Sequence, residues 1–207
     1  MLSATAVVVT AALADPGQTP LSSGKQPHGL RAYLLRCHLL PRLREMGFAE
    51  ILVVGEFEPG DGYTWLNVPS VERSSIHDSI RKRHAGCLRA SAPFMLVMND
   101  DHLLERDLLR RAEKYVTDQG ADVVSPSRWT RLRGPRERLN AGDGAYVCGH
   151  AALYRREVLE RCPWDAVPKI FSFDVAHSQQ MRDAGFCLCY PDDVQIEDIE
   201  MGATPWS

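Results

Sequence analysis

The sequence predicts an α/β fold: a single domain with a mostly parallel central sheet flanked by helices. Three observations carry this reading. Short β-branched, apolar runs alternate with segments in helical spacing, the order expected of a parallel sheet covered by helices. The 207 residues suit one domain with a substantial core. A hydrophobic fraction of 44% and a charged fraction of 25% are those of a globular chain, with no internal repeat or linker dividing it.

The elements follow in order. Residues 4–12 are apolar and β-branched, a buried strand. The opening "MLSATAVVVTAALADPG" imitates a secretory signal but lacks a positive n-region, and reads as that first strand. Leu30, Tyr33, Leu34, Cys37 and Leu40 follow helical spacing, with Pro41 set to kink or break the helix. Residues 51–54 form a second buried strand ended by Gly55, residues 58–62 a turn, and residues 64–68 a short strand. Ser75 to Asp78 has the shape of a capping box ahead of a helix carrying Ile76, Ile80, Ala85, Cys87 and Leu88. Residues 94–98 are the central strand. Leu104, Leu108, Ala112 and Tyr115 mark the next helix, which stops at Gly120, and residues 122–125 form another strand. The stretch "SRWTRLRGPRERLNAGDG" is polar and loop-like. Residues 144–148 resume a strand, residues 155–161 and 174–184 read as helices, and residues 186–190 as a strand.

Composition excludes several classes. A net charge of −3 gives no general affinity for polyanions, so nucleic acid is not an expected partner. No apolar run approaches the roughly 20 residues a membrane span needs. The six cysteines contain no C-x-x-C pair, which argues against a zinc knuckle or a thioredoxin motif. A reducing, cytoplasmic setting is expected.

The stretch "FMLVMNDDHLL" (94–104) poses the functional question. An apolar strand runs straight into Asn99, Asp100 and Asp101, at a strand's carboxyl end where parallel α/β sheets bind ligands. Hard oxygen donors there suit Mg2+ or Mn2+, which keep waters and bridge a substrate's phosphates. The alternative is that Asp100 or Asp101 caps the following helix.

This stretch resembles the D-x-D region of GT-A-fold glycosyltransferases, family 2 in particular. "SIRKRHAGCLRASAPFMLVMNDDHLL" is similar to the family's helix and acidic strand end. "VCGHAALYRREVLERCPWD" resembles its strand-Gly-helix acceptor segment, and "FSFDVAHSQQMRDAGFCLCYPDD" its Glu-Asp helix followed by a glycine and a strand. The segments occur in the family's order and cover most of the chain. Three positions depart from the pattern: Asn99 replaces the first D-x-D acid, His84 the helix Asn, and Phe173 the Glu before the catalytic Asp.

The resemblance implies a single GT-A domain over residues 1–207, with a nucleotide-sugar half (1–125) and an acceptor half (126–207). It implies a UDP- or GDP-linked sugar donor, a small-molecule, glycan or protein acceptor, and a divalent metal (Mn2+ or Mg2+). Asp101 is then the metal ligand, and Asp100 and Asn99 contact ribose or sugar hydroxyls. Glu56 holds the base or ribose, with a solvated loop acid as the alternative, and Thr10 and Ala11 lie near the base. Arg83 pairs with the diphosphate, unless "RKRH" is a solvated face. Asp174 is the general base that makes transfer inverting, with N-capping as its other reading. His102 and His177 are weak candidates; His177, one turn along, either orients Asp174 or sits on the surface. The arginines between Arg128 and Arg138 suggest an anionic ligand or a solvated loop. Two rivals remain: a nucleotidyltransferase, which needs a phosphate cradle after the first strand where Gly17, Gly24 and Lys25 lack a recognisable spacing, and a non-catalytic nucleotide- or sugar-binding remnant.

Overall fold

A computed structural model describes residues 2–10, 28–70, 75–130, 137–138, 146–147, 149, 151–168 and 173–198. The chain opens with β1 (Ala4–Thr10), α1 (His28–Leu34), a wide π turn (Leu35–Leu39) and α2 (Leu40–Glu45). Next come β2 (Glu50–Gly55), β3 (Thr64–Leu66), α3 (Ser75–Arg89), β4 (Phe94–Asn99), β5 (His102–Leu104) and α4 (Leu108–Asp118). β6 (Val123–Val124), β7 (Ser127–Thr130), β8 (Glu137–Arg138), β9 (Ala151–Arg155) and α5 (Arg156–Arg161) follow. A 3-10 turn (Trp164–Ala166), α6 (Phe173–Asp183), β10 (Leu188–Cys189) and β11 (Gln195–Asp198) complete the order.

Among the described residues, seven strands form the main sheet in the order β10-β6-β9-β4-β1-β2-β3. It is parallel except at β9, which runs antiparallel to both β4 and β6. β1 lies between β4 and β2 and is buried along its whole length, as expected of a strand covered on both faces. Its side chains alternate between two cores. Ala4, Ala6 and Val8 pack with Leu35, Leu39 and Leu43 and with Leu108 and Leu109 of α4. Val7 packs with Ile80 of α3, Val158 of α5 and Met181 of α6. α3 lies close enough to β1 that a Cβ on Gly86 would come within 2.4 Å of a Val7 methyl. A second sheet, β5-β11-β7-β8, leaves the first at the end of β4. Strands from both sides of residue 125 share each sheet, so the two halves interleave.

Several expectations are corrected. Pro41 does not end its helix. The Leu40 N–H reaches back to the Leu35 carbonyl, and this wide turn admits Pro41 into the first turn of α2, where a missing N–H costs little. Leu104 belongs to β5, opposite Ile196, and not to the next helix. Its spacing to Leu108 is misleading because both side chains enter one core. α4 begins only at Leu108, with Asp107 at its N-cap position, so neither Asp100 nor Asp101 caps it. The polar stretch after Ser125 is not all loop, since β7 and β8 pair antiparallel within it. Its first residue, Ser127, is buried and donates to the Pro191 carbonyl at 3.0 Å. Residues 146–147 are not a strand. The Val147 N–H goes to Ser178 Oγ at 2.7 Å instead of joining a ladder, and the strand starts at Ala151.

Candidate functional site

The register of the main sheet assembles the site. Thr10 pairs with Gly55, and Val9 with Asn99, so three parallel strands finish together at one edge. Asp100 and Asp101 occupy the two-residue corner between β4 and β5, where the chain passes from one sheet to the other. Asp100 is completely buried. It accepts a hydrogen bond from Thr10 Oγ1 at 2.6 Å and forms an ion pair with Arg31 of α1. Burial works against the Arg31 charge, but the carboxylates of Asp100 and then Asp101 outweigh it and raise the Arg31 pKa above its ordinary value. The Asp101 side chain is 33% exposed, and its Oδ1 lies 2.8 Å from Nδ1 of the buried His102.

Glu56 follows Gly55 at the same edge. It is not a solvated loop acid: it accepts from the Ser70 backbone N–H and pairs with Lys82. Burial pushes its pKa up, but the hydrogen bonds from Lys82 and Ser70 win and hold it below the usual carboxylate range. Lys82 Nζ also donates to the Thr10 carbonyl at 3.1 Å and to Ser70 Oγ at 3.0 Å, which uses all three of its protons. Gly55 is required here. Its φ of +129° is a conformation side chains resist, and a Cβ would sit 1.9 Å from the Thr10 carbonyl oxygen.

Arg83, the neighbour of Lys82, is equally buried. Its Nε donates to Ser79 Oγ at 3.2 Å and its Nη2 to Asn99 Oδ1 at 2.6 Å and to the Gly149 carbonyl. The guanidinium lies 5.3 Å from the ring centre of Trp164. The "RKRH" run is therefore not a solvated face at Lys82 or Arg83. Both lie on the buried stripe of α3, Arg83 three residues after Ile80 and four before Cys87, and that spacing is the signal in the sequence that betrays it.

Gly149 links Arg83 to the last candidate. A Cβ on Gly149 would lie 3.3 Å from the Asp174 Cβ and 3.1 Å from the Phe173 ring. Arg83 thus ties Asn99 at the strand end to Gly149, which leaves little room for a side chain beside Asp174 at the start of α6. Asp174 is partly exposed in the first turn of α6, and its Oδ1 accepts from the Val175 N–H at 3.0 Å. Ser178 Oγ donates to the Asp174 backbone carbonyl at 2.6 Å and accepts from the Val147 N–H, which fixes the start of α6 against the 147–149 segment.

His177 neither orients Asp174 nor sits on the surface. It is buried with its ring centre 4.1 Å from that of Trp164, and its Nε2 donates to the Cys162 carbonyl at 2.9 Å. Burial lowers its pKa from 6.5 to about 4. From pH 6.5 down to about 4 the unfolded chain binds a proton here that the folded chain refuses. Stability should therefore fall across that window, by roughly 3 kcal/mol in total. Melting curves between pH 7 and 4 check this. His177→Gln, which keeps a donor toward Cys162, should flatten the decline, and an unchanged decline would contradict the assignment.

Ala11 lies outside the described residues, as do Gly17, Gly24 and Lys25 and the arginines at 131, 133 and 136. Of the other two in that stretch, Arg128 is on β7 and Arg138 on β8. Among the described residues, no three His, Cys, Asp or Glu side chains come close enough to hold a metal ion as a protein cage. Asp101 alone fits a different mode, in which one partly exposed carboxylate and a substrate's phosphates share a divalent ion. No helix of the described residues is long and apolar enough to cross a membrane.

The fold is that of the GT-A glycosyltransferases. The mannosyltransferase PcManGT from Pyrobaculum calidifontis, in complex with GDP-Man and Mn2+, matches with a TM-score of 0.60 at 18% identity. The match covers 95% of this chain and 56% of that one. TarS 1–349 of S. aureus matches with a TM-score of 0.64 at 12% identity, over 95% of this chain and 60% of its own. Its complex with UDP-GlcNAc gives 0.63 at 12% identity, over 95% and 58%. The chain thus spans little more than half the length of these proteins. No family model and no curated protein matches the sequence.

Proposed function

We propose that this chain is a glycosyltransferase that moves a sugar from a nucleotide-sugar donor to an acceptor hydroxyl, metal-assisted and with inversion. The observation that carries the reading is that Arg83 ties Asn99, at the carboxyl edge of a GT-A sheet, to Gly149, which lies close beside Asp174. On this reading the two partly exposed carboxylates divide the work, Asp101 toward the donor and Asp174 toward the acceptor.

Each residue then has a role. Glu56, with Thr10 behind it and Ala11 next in sequence, faces the base or ribose. Asp101 would hold a divalent ion at the donor's diphosphate. Such an ion, when bound, offsets the charge of the departing diphosphate. Asp100 and Arg83 are held inside the protein, so they support the site where direct contact with donor was expected. Asn99, one residue before Asp100, stands nearest the sugar hydroxyls. Asp174 takes the proton of the acceptor hydroxyl as its oxygen bonds to the anomeric carbon. The bond from that carbon to the diphosphate breaks, the electron pair leaves with the nucleoside diphosphate, and attack from the opposite face inverts the centre.

GDP-Man and UDP-GlcNAc in the matching structures make GDP and UDP the first probes. A thermal-shift screen of nucleoside diphosphates with and without Mn2+ tests the reading. One of them at about 100 times its Kd, with Mn2+, should raise Tm by about 5 °C or more. No shift from any nucleoside diphosphate would contradict it.

A further inference from the structure

Arg31 has no counterpart in the sequence reading and no role in the mechanism above. It is nevertheless the guanidinium that holds the fully buried Asp100, reaching from α1 to the corner between the two sheets. A carboxylate buried to that degree stays charged only when paired and hydrogen-bonded. Thr10 supplies the hydrogen bond and Arg31 the opposite charge. The other two buried cations of this edge are committed elsewhere: Lys82 to Glu56, Ser70 and the Thr10 carbonyl, and Arg83 to Asn99, Gly149 and Ser79. Asp101 is the next residue after Asp100, about 3.8 Å away from Cα to Cα. Its carboxylate is placed by that corner and by His102.

We infer that Arg31 is a positioning residue of the donor site: by fixing Asp100 in the corner between the sheets, it sets where the Asp101 carboxylate is presented to a metal-bound diphosphate. The inference rests on the glycosyltransferase reading. Loss of a residue that orients a metal-ligating group typically costs roughly 10–100-fold in metal affinity or activity, so the effect should appear in metal-dependent binding and not only in stability.

The test is a double-mutant cycle on Arg31→Gln and Asp100→Asn, read as the affinity for UDP and GDP with and without Mn2+. Arg31→Gln should weaken Mn2+-dependent binding about tenfold or more and change metal-free binding less than about threefold, with Arg31→Lys recovering part of the loss. The double variant should bind no more weakly than Asp100→Asn alone, because Arg31 acts through Asp100. If Arg31→Gln does not fold, the double variant, which removes both charges together, still gives that comparison. A folded Arg31→Gln protein with wild-type Mn2+-dependent binding overturns the inference. So does a double variant that binds about tenfold more weakly than Asp100→Asn, since Arg31 would then act directly. Either result leaves the glycosyltransferase reading intact. A wild-type protein that binds neither nucleotide with Mn2+ overturns both.

Discussion

Asp174→Asn should cut sugar transfer by about 100-fold or more while Tm and nucleoside diphosphate affinity stay near wild type. The geometry makes asparagine the informative substitution. Asp174 lies within the first turn of α6, and its Oδ1 accepts from the Val175 N–H, a bond that an amide oxygen can also accept. Ser178 bonds to the Asp174 main-chain oxygen, so the support of α6 survives the change. What asparagine loses is the capacity to take a proton near neutral pH. Initial rates and melting curves on the same preparation check the result. Normal turnover would remove Asp174 from the mechanism and turn attention to Glu197, Asp198 and Asp143. Of these, Glu197 lies on β11 opposite Leu103.

Asp101→Ala should abolish the Mn2+-dependent part of nucleoside diphosphate binding, with the added Tm shift from Mn2+ disappearing. The residue sits at a corner and is one-third exposed, so the fold should survive. What alanine removes is the close approach of the carboxylate to His102 Nδ1 at 2.8 Å. Isothermal titration of the folded variant with and without Mn2+ checks this, and unchanged metal dependence would exclude Asp101 as the ligand.

Strands with two buried faces were legible in the sequence because continuous apolar or β-branched runs make up most of each: β1, β2 and β4 lie on the runs that predict them, with Thr5, Thr10, Glu50 and Asn99 the polar exceptions. The second sheet was not. β5, β7 and β11 are short and carry His102, Ser127, Arg128 and Glu197, so neither continuous apolarity nor a period of two marks them. Pairing between distant segments makes them strands, and no local window contains that information. The strand-end residues were legible because an apolar run ending in Asn-Asp-Asp needs a reason. Their partners were not: Arg31 reaches Asp100 across 69 positions and Lys82 reaches Thr10 across 72. Arg31 in sequence is an ordinary helix cation, and only the fold brings it to Asp100, while the packing of α3 on β1 brings Lys82 to Thr10. His177 was misread for the same reason, since the cavity it fills is made by Trp164, Tyr154 and the Cys162 carbonyl.

The most direct measurement is the identity of the product released from a nucleotide sugar. Incubated with UDP- and GDP-sugars, Mn2+ and a panel of acceptor hydroxyls, the protein should release free nucleoside diphosphate and give a glycosylated acceptor with inverted anomeric configuration. Asp101→Ala and Asp174→Asn should suppress both. Pyrophosphate formed from a nucleoside triphosphate and a sugar phosphate, or nucleotide binding with no turnover across the panel, would contradict the account.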